Sequence, residues 1–426
     1  MESPWEEPIL QSSFTKEFLV LTRFACASLR PSGFGYLMGD GTVNKKRPVE
    51  LWITARMTHV FALASLCGIA GMSEFAEHGI RSLTTAFRDH ENGGWFSAVE
   101  HGIDENGHGH CVGDGRKEAY AHAFVILAAS SALTAGIEGA RQLLEDALAD
   151  QDTHWWEPEH GRVCESWDKE YTQKEAYRGL NSNMHTVEAY LAAYHATGER
   201  LWLDRARAIT RWAADLCAQW GARLPEHFDS KWAVQTDFNK ENPHDPFRPY
   251  GVTPGHACEW ARLMLHVRGA LRENGDEIPD WTLEAPHALF SRAAEEGWDS
   301  KHGGFVYTTD FDGQPVVTER MHWVLCEALS AAMVLGRELH VVGRTQDAEE
   351  VSDFFASWLA WADQYLREDI GRWVHEVNEN GDVSTTTWDG KPDVYHVAQM
   401  LLLPLLPPAA SFAESARRAR ESHSFL

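Results

Sequence analysis

Six times along the 426-residue chain a short Gly/Trp-rich turn segment is followed by a mostly apolar helix. The segments begin near Gly33, Gly93, Trp155, Arg223, Gly303 and Gly371, at spacings of 60, 62, 68, 80 and 68 residues. A unit of that length holds one outer helix, one inner helix and a hairpin connection, and an even period means that each unit buries its apolar faces on its neighbours. The pattern predicts an all-α domain over residues 1–408, a closed ring of six helix pairs with short β-hairpins at one end. The charged segment over 409–426 reads as a flexible tail.

Outer helices are expected near 14–30, 73–90, 138–150, 200–219, 282–296 and 344–366. In the fourth, Ile209, Trp212, Ala213 and Leu216 share a face, and Arg205, Arg207, Arg211 and Asp215 take much of the rest, so one side is wet. Inner helices are expected over 53–68, 118–133, 184–196, 256–267, 321–335 and 394–406. Beyond their first turns these are apolar nearly all round, as helices enclosed by an outer layer must be. Eighteen Trp, 19 Phe and 10 Tyr supply large side chains for the core.

Asp and Glu number 63 against 38 Lys and Arg, a net charge of −25, which repels phosphate backbones and anionic lipid alike and argues against a nucleic-acid partner. The N-terminus is acidic where a signal peptide is basic. The apolar stretch at 400–410 is short and broken by proline, so no membrane span is expected. Seven well-separated cysteines with no CxxC pair suit free thiols in a reducing compartment, and the chain reads as cytoplasmic.

The first turns of the six inner helices carry the chemistry. In order they offer Arg56; Tyr120 and His122; Asn181 and His185; His256 and Glu259; His322 and Trp323; and His396. His256 and Glu259 are three apart, and Asn181, His185 and Glu188 are spaced four and three, so each set shares a helix face. Imidazole titrates near neutrality, so it can serve as base and then acid without a large shift. Arginine stays charged and can hold an oxyanion. Trp52, Trp260, Trp323 and Trp388 offer faces for a sugar ring. The GHGHC run (His108, His110, Cys111) has no fourth ligand at a recognisable spacing, and no metal or cofactor is expected.

Four segments, TARMTH (54–59), NSNMHTVEAYL (181–191), TPGHACEWARL (253–263) and GKPDVYHVAQ (390–399), resemble the signature segments of the N-acylglucosamine 2-epimerase superfamily, most closely its aldose–ketose isomerase branch. The resemblance covers residues 14–405. It implies an (α/α)6 barrel with a metal-independent acid/base site acting on a free monosaccharide. It further implies that His256 and His396 are the two acid/base histidines, and that Arg56, His185 and Glu259 contact the sugar or orient a histidine. Asn181, Tyr120, Trp323 and Trp388 are expected to bind substrate. GKPDVYH departs from the Gly-rich, basic approach of the N-acylglucosamine epimerases, which argues against an N-acetylated substrate.

The expected reaction is interconversion of D-mannose and D-fructose, with D-lyxose and D-xylulose as a further pair. His396 would move the proton between C2 and C1, His256 would serve the oxygens with Glu259 fixing its tautomer, and Arg56 and His185 would hold the oxyanion. The alternatives are a 2-epimerase or sulfoquinovose isomerase built from the same parts. A different class is an (α/α)6 glycoside hydrolase using two carboxylates among Glu157, Glu226 and Asp237.

Overall fold

The computed structural model describes residues 3–422, and its regular structure is mostly helical. The helices among the described residues are α1 (Pro8–Ala25), α2 (Leu51–Leu66), α3 (Met72–Thr84), α4 (Ala119–Thr134), α5 (Ala140–Asp150), α6 (Leu180–Thr197), α7 (Arg200–Gln219), α8 (Pro254–Glu273), α9 (Trp281–Arg292), α10 (His322–Val341), α11 (Thr345–Tyr365), α12 (Tyr395–Leu402) and α13 (Phe412–Glu421). Each expected inner and outer helix is present. Several boundaries move by a turn or so, and proline accounts for two of them. α1 begins at Pro8, where a fixed φ and a missing N–H cost a first turn nothing. α12 stops at Leu402, ahead of Pro404, which disfavours helical backbone in the residue before it.

By packing, the chain divides into two compact units. The first takes Thr22–Ile209, Lys391–Tyr395 and the chain from Leu406 on; the second takes the chain up to Leu21, Thr210–Gly390 and His396–Leu405. In the first unit α2 packs on α3 and α4, and α4 packs on α5 and α6. In the second, α8 packs on α9 and α10, and α10 packs on α11.

The sequence pattern explains which helices are enclosed. α2 and α4 are apolar all round and buried along almost their whole length. α3 carries Met72, Ala76, Ile80 and Leu83 on its buried face and Glu74, Glu77 and Arg81 elsewhere. Gly79 sits where α3 meets α2, and a Cβ there would fall 2.0 Å from the Thr58 hydroxyl, so the missing side chain sets how closely the two helices approach.

A repeated device fixes where inner helices begin. The two residues ahead of α2, α4 and α10 form a short strand paired antiparallel with the next repeat's hairpin: Val49–Glu50 with 98–99, Lys117–Glu118 with 166–167, and Arg320–Met321 with 376–377. Two residues before α4, α6 and α10 stands a buried cation bonded to a carboxylate from the preceding connection. These pairs are Lys117–Asp89 at 2.9 Å, Arg178–Glu157 at 3.0 Å and Arg320–Asp299 at 2.6 Å. Removing one partner strands a buried charge, at a cost of about 3–5 kcal/mol. First-turn side chains therefore hang from a rigid frame.

The C-terminal segment differs from the flexible tail expected from its charge. α13 is capped by Ser411, whose hydroxyl accepts from the Glu414 N–H, and it packs against α2, α4 and α6. Phe412, Ala413, Ala416 and Ala419 form its buried face, while Arg417 and Arg418 pair with Glu414. Small alanines gave the segment little apolar signal, yet they are what permits close seating on three helices. Among the described residues no helix is long and apolar enough to cross a membrane.

Candidate active site

The second unit holds both histidines expected to do the acid/base work. α8 starts with Pro254 and presents His256 two residues later in the same turn, and His396 lies in the first turn of α12. Both imidazoles are buried but not sealed, at 7% exposure each. The Trp323 ring, from the first turn of α10, contacts both: ring centroids are 5.2 Å apart for His256 and 5.6 Å for His396. A Cβ on Gly255 would lie 2.6 Å from the Trp323 ring, so a glycine beside the histidine is what seats the indole.

Each imidazole is held through Nδ1 by a buried carboxylate. His256 Nδ1 lies 2.9 Å from Glu226 Oε1, and His396 Nδ1 lies 2.8 Å from Glu327 Oε1. Against an ionised carboxylate Nδ1 carries the proton, so Nε2 is the ring nitrogen that can accept one. The orienting role expected of Glu259 therefore belongs to Glu226. Glu259 lies on the same helix as His256 but turns toward Arg262, with Oε1 3.6 Å from Nη2. Glu226 was legible only as a hairpin acid, because the contact spans 30 residues of sequence and no periodicity reports it.

Glu327 is the second residue the sequence did not single out. Burial alone would raise its carboxyl, but the Arg262 guanidinium, with Nε 2.9 Å from Oε2, and the bond from His396 together hold it down at about 2. A lone carboxylate in the apolar run MHWVLCEALSAAM was the available signal, since a buried acid must find a cation or a donor. The ligating atoms of Glu259, Glu327 and His396 lie within 4.8 Å of one another, a donor set that would accept a divalent ion. Arg262 already supplies positive charge to both carboxylates.

The first unit gathers the rest. Arg56, from α2, sits among the rings of Trp52, Phe124 and Tyr395, its Cζ 5.1, 4.3 and 4.6 Å from their centroids. Nη1 reaches Asp393 at 3.3 Å and Nη2 donates to the Tyr120 hydroxyl at 2.9 Å. His185 packs against Tyr120 and Phe124, and Tyr395 donates to Glu188. The Asn181 amide oxygen is buried and has no hydrogen-bond partner among the described residues. Asp393 also accepts the Tyr395 N–H at 2.8 Å, so the PDVYH segment both anchors Arg56 and opens α12.

Other sequence candidates fall elsewhere. Trp260 is fully buried core and offers no face to a sugar. Trp388 stands edge-on to Phe247 at 5.7 Å, on a loop whose Thr386, Thr387 and Trp388 N–H groups all donate to Glu376. His108, His110 and Cys111 lie on an exposed hairpin and belong to no three-ligand group among the described residues. The glycosidase carboxylates are spoken for: Glu157 by Lys174 and Arg178, Glu226 by His256, and Asp237 by Lys240 on the surface.

Comparison with known proteins decides the family. The N-acylglucosamine 2-epimerase (GlcNAc 2-epimerase) family model matches residues 33–400. The chain belongs to this family. It is 47% identical over 399 residues to a D-mannose isomerase of Thermobifida fusca, covering 92% of this chain and 93% of that one. It is 41% identical over 401 residues to a D-mannose isomerase of Pseudomonas cannabina pv. alisalensis, covering 93% and 92%. A crystal structure of a D-mannose isomerase superposes with a TM-score of 0.81 at 26% identity, over 95% of this chain and 99% of that one. The fold of this epimerase-family protein is thus the (α/α)6 barrel with short hairpins, and the protein is an isomerase.

Proposed function

We propose that this protein interconverts D-mannose and D-fructose by proton transfer through a cis-enediolate, with D-lyxose and D-xylulose as a second substrate pair. The observation that carries the reading is the pair of imidazoles beside one indole, each with Nδ1 on a buried carboxylate. Two bases of matched tautomer serve a reaction that moves one proton between carbons and others between oxygens.

In this reading His256 opens the pyranose, giving a proton to O5 while the O1 hydroxyl gives one up. His396 Nε2 then takes the C2 proton of the open aldose. The C2–H electron pair forms the C1–C2 double bond, and the C1 carbonyl pair moves onto O1. His256 shuttles the O2 proton to O1 as C2=O forms, and His396 returns its proton to C1. Carbon, hydrogen and electrons balance with no external oxidant. Arg56 and His185 are proposed as the groups that meet the oxyanion, because a guanidinium fixed among aromatic rings needs no reorganisation when charge develops. Asn181, Tyr120, Trp323 and Trp388 are proposed as sugar contacts, with Glu259 as a carboxylate for a substrate hydroxyl.

Support for the mannose branch comes from the 47% and 41% identical relatives, both D-mannose isomerases. We further propose a cytoplasmic enzyme whose residues 1–408 act as one catalytic domain without metal. All seven cysteines are free thiols, which fits a reducing compartment. The test is a substrate panel: mannose, glucose, lyxose, sulfoquinovose and N-acetylmannosamine, with products resolved by NMR. Mannose should give fructose fastest. Conversion of N-acetylmannosamine or sulfoquinovose with mannose untouched contradicts the reading.

A further inference from the structure

Resting on that reading, we infer that Glu376 is a positioning residue for sugar binding: its carboxylate gathers the backbone of residues 386–388 and so fixes the stretch that carries Trp388. Glu376 is 1% exposed and lies in the second unit with the loop it holds. Its Oε1 accepts the Thr386 N–H at 2.8 Å and the Ser384 hydroxyl at 2.5 Å, and its Oε2 accepts the Thr387 and Trp388 N–H groups at 2.9 and 2.8 Å. Three successive amides thus close on one carboxylate.

The loop needs such an anchor because residues 384–389 belong to no helix or strand, and backbone donors without a regular partner otherwise turn to water. The chain arrives there from a tight hairpin: Val377 bridges Val383, and the Ser384 N–H returns to the Glu376 carbonyl at 3.0 Å. A carboxylate suits the task, since both of its oxygens accept and neither donates. Thr385, Thr386 and Asp389 are exposed, whereas Trp388 is half-buried with its ring edge-on to Phe247. A half-exposed ring takes a sugar at least cost when it is already held, because ordering a loop on binding subtracts from affinity.

The backbone of the same strand has a separate task. Residues 376–377 pair with Arg320–Met321, and the His322 N–H donates to the His375 carbonyl at 3.0 Å, which seats the first turn of α10 and with it Trp323. These are main-chain bonds, so they survive loss of the Glu376 carboxylate. Altering that side chain therefore releases the Trp388 loop and leaves the surroundings of the two histidines in place. Binding changes and the chemical step does not.

The experiment compares the intact wild-type protein with Glu376→Gln, by hydrogen–deuterium exchange without sugar and by steady-state kinetics. Glutamine puts an NH2 group where an acceptor stood, so at least one loop N–H faces a donor. Exchange in the peptide covering 384–390 should quicken about tenfold, the loss of one hydrogen bond's protection, while other peptides keep their rates. KM should rise about tenfold, the worth of one aromatic contact, with kcat within about twofold of wild type. Trp388→Ala should raise KM by a similar factor, and adding Glu376→Gln to it should raise KM no further, because both changes act through one ring. Unchanged exchange at 384–390, a fall in kcat at constant KM, or additive effects in the double variant would each overturn the inference. Should Glu376→Gln not fold, Glu376→Asp decides. It draws the carboxylate back by one methylene, so faster exchange and a raised KM are expected, and a wild-type value for either overturns the inference. KM is measured on whichever sugar of the panel turns over fastest, so an error in the mannose assignment leaves this test standing.

Discussion

His256 Nδ1 lies 2.9 Å from Glu226 Oε1, a contact between the first turn of a helix and a hairpin 30 residues earlier. Glu226 is therefore expected to hold that imidazole with its Nε2 free. Glu226→Ala should lower kcat by about 10²-fold, as expected for the loss of a positioned general acid/base, with circular dichroism unchanged. Full activity in Glu226→Ala would return the orienting role to Glu259.

Gly255 makes room for Trp323, and Trp323 touches both histidines. Gly255→Ala places a methyl 2.6 Å from the indole, which must shift. Overpacking of this kind costs about 1–3 kcal/mol, so a lower Tm is expected together with a raised KM for the sugar. Unchanged KM and Tm would mean that the indole position is not set by this contact.

Stability should fall on mild acidification. Burial pushes the imidazoles of His59 and His122 down to about 3 and about 4. Between pH 6.5 and those values the unfolded chain binds protons that the native chain refuses, so stability present above pH 6.5 is lost as pH falls. Native carboxylates held low, such as Glu327, add a loss only below about pH 4.5. Tm measured from pH 7.5 to 5 should decline, and His59→Gln should flatten the decline. A flat wild-type profile would contradict neutral burial of these rings.

Activity should survive exhaustive EDTA treatment. Arg262 already gives Glu259 and Glu327 the positive charge that a divalent ion would bring. Loss of turnover on chelation, restored by a divalent cation, would show the Glu259–Glu327–His396 group to be a working metal site.

The helices were legible in the sequence because apolar periodicity is a local signal that burial amplifies, and the inner helices were recognisable from apolar character on every side. His256, His396 and Arg56 were legible because polar groups opening otherwise apolar helices need a reason to be there. Glu226, Glu327 and Arg262 were not, since their roles depend on pairings across 30, 69 and 65 residues that no spacing rule encodes. α13 was misjudged because its seat relies on alanine, whose contribution comes from close approach and not from hydrophobic bulk.

The most direct test follows mannose in D₂O. A single imidazole returning the C2 proton to C1 exchanges with solvent, so fructose should appear carrying deuterium at C1, with little glucose formed early. His396→Ala should remove both the conversion and the label. Fructose without solvent deuterium would indicate a hydride shift, and glucose labelled at C2 as the first product would indicate an epimerase; either result contradicts the account of His396 as the proton carrier.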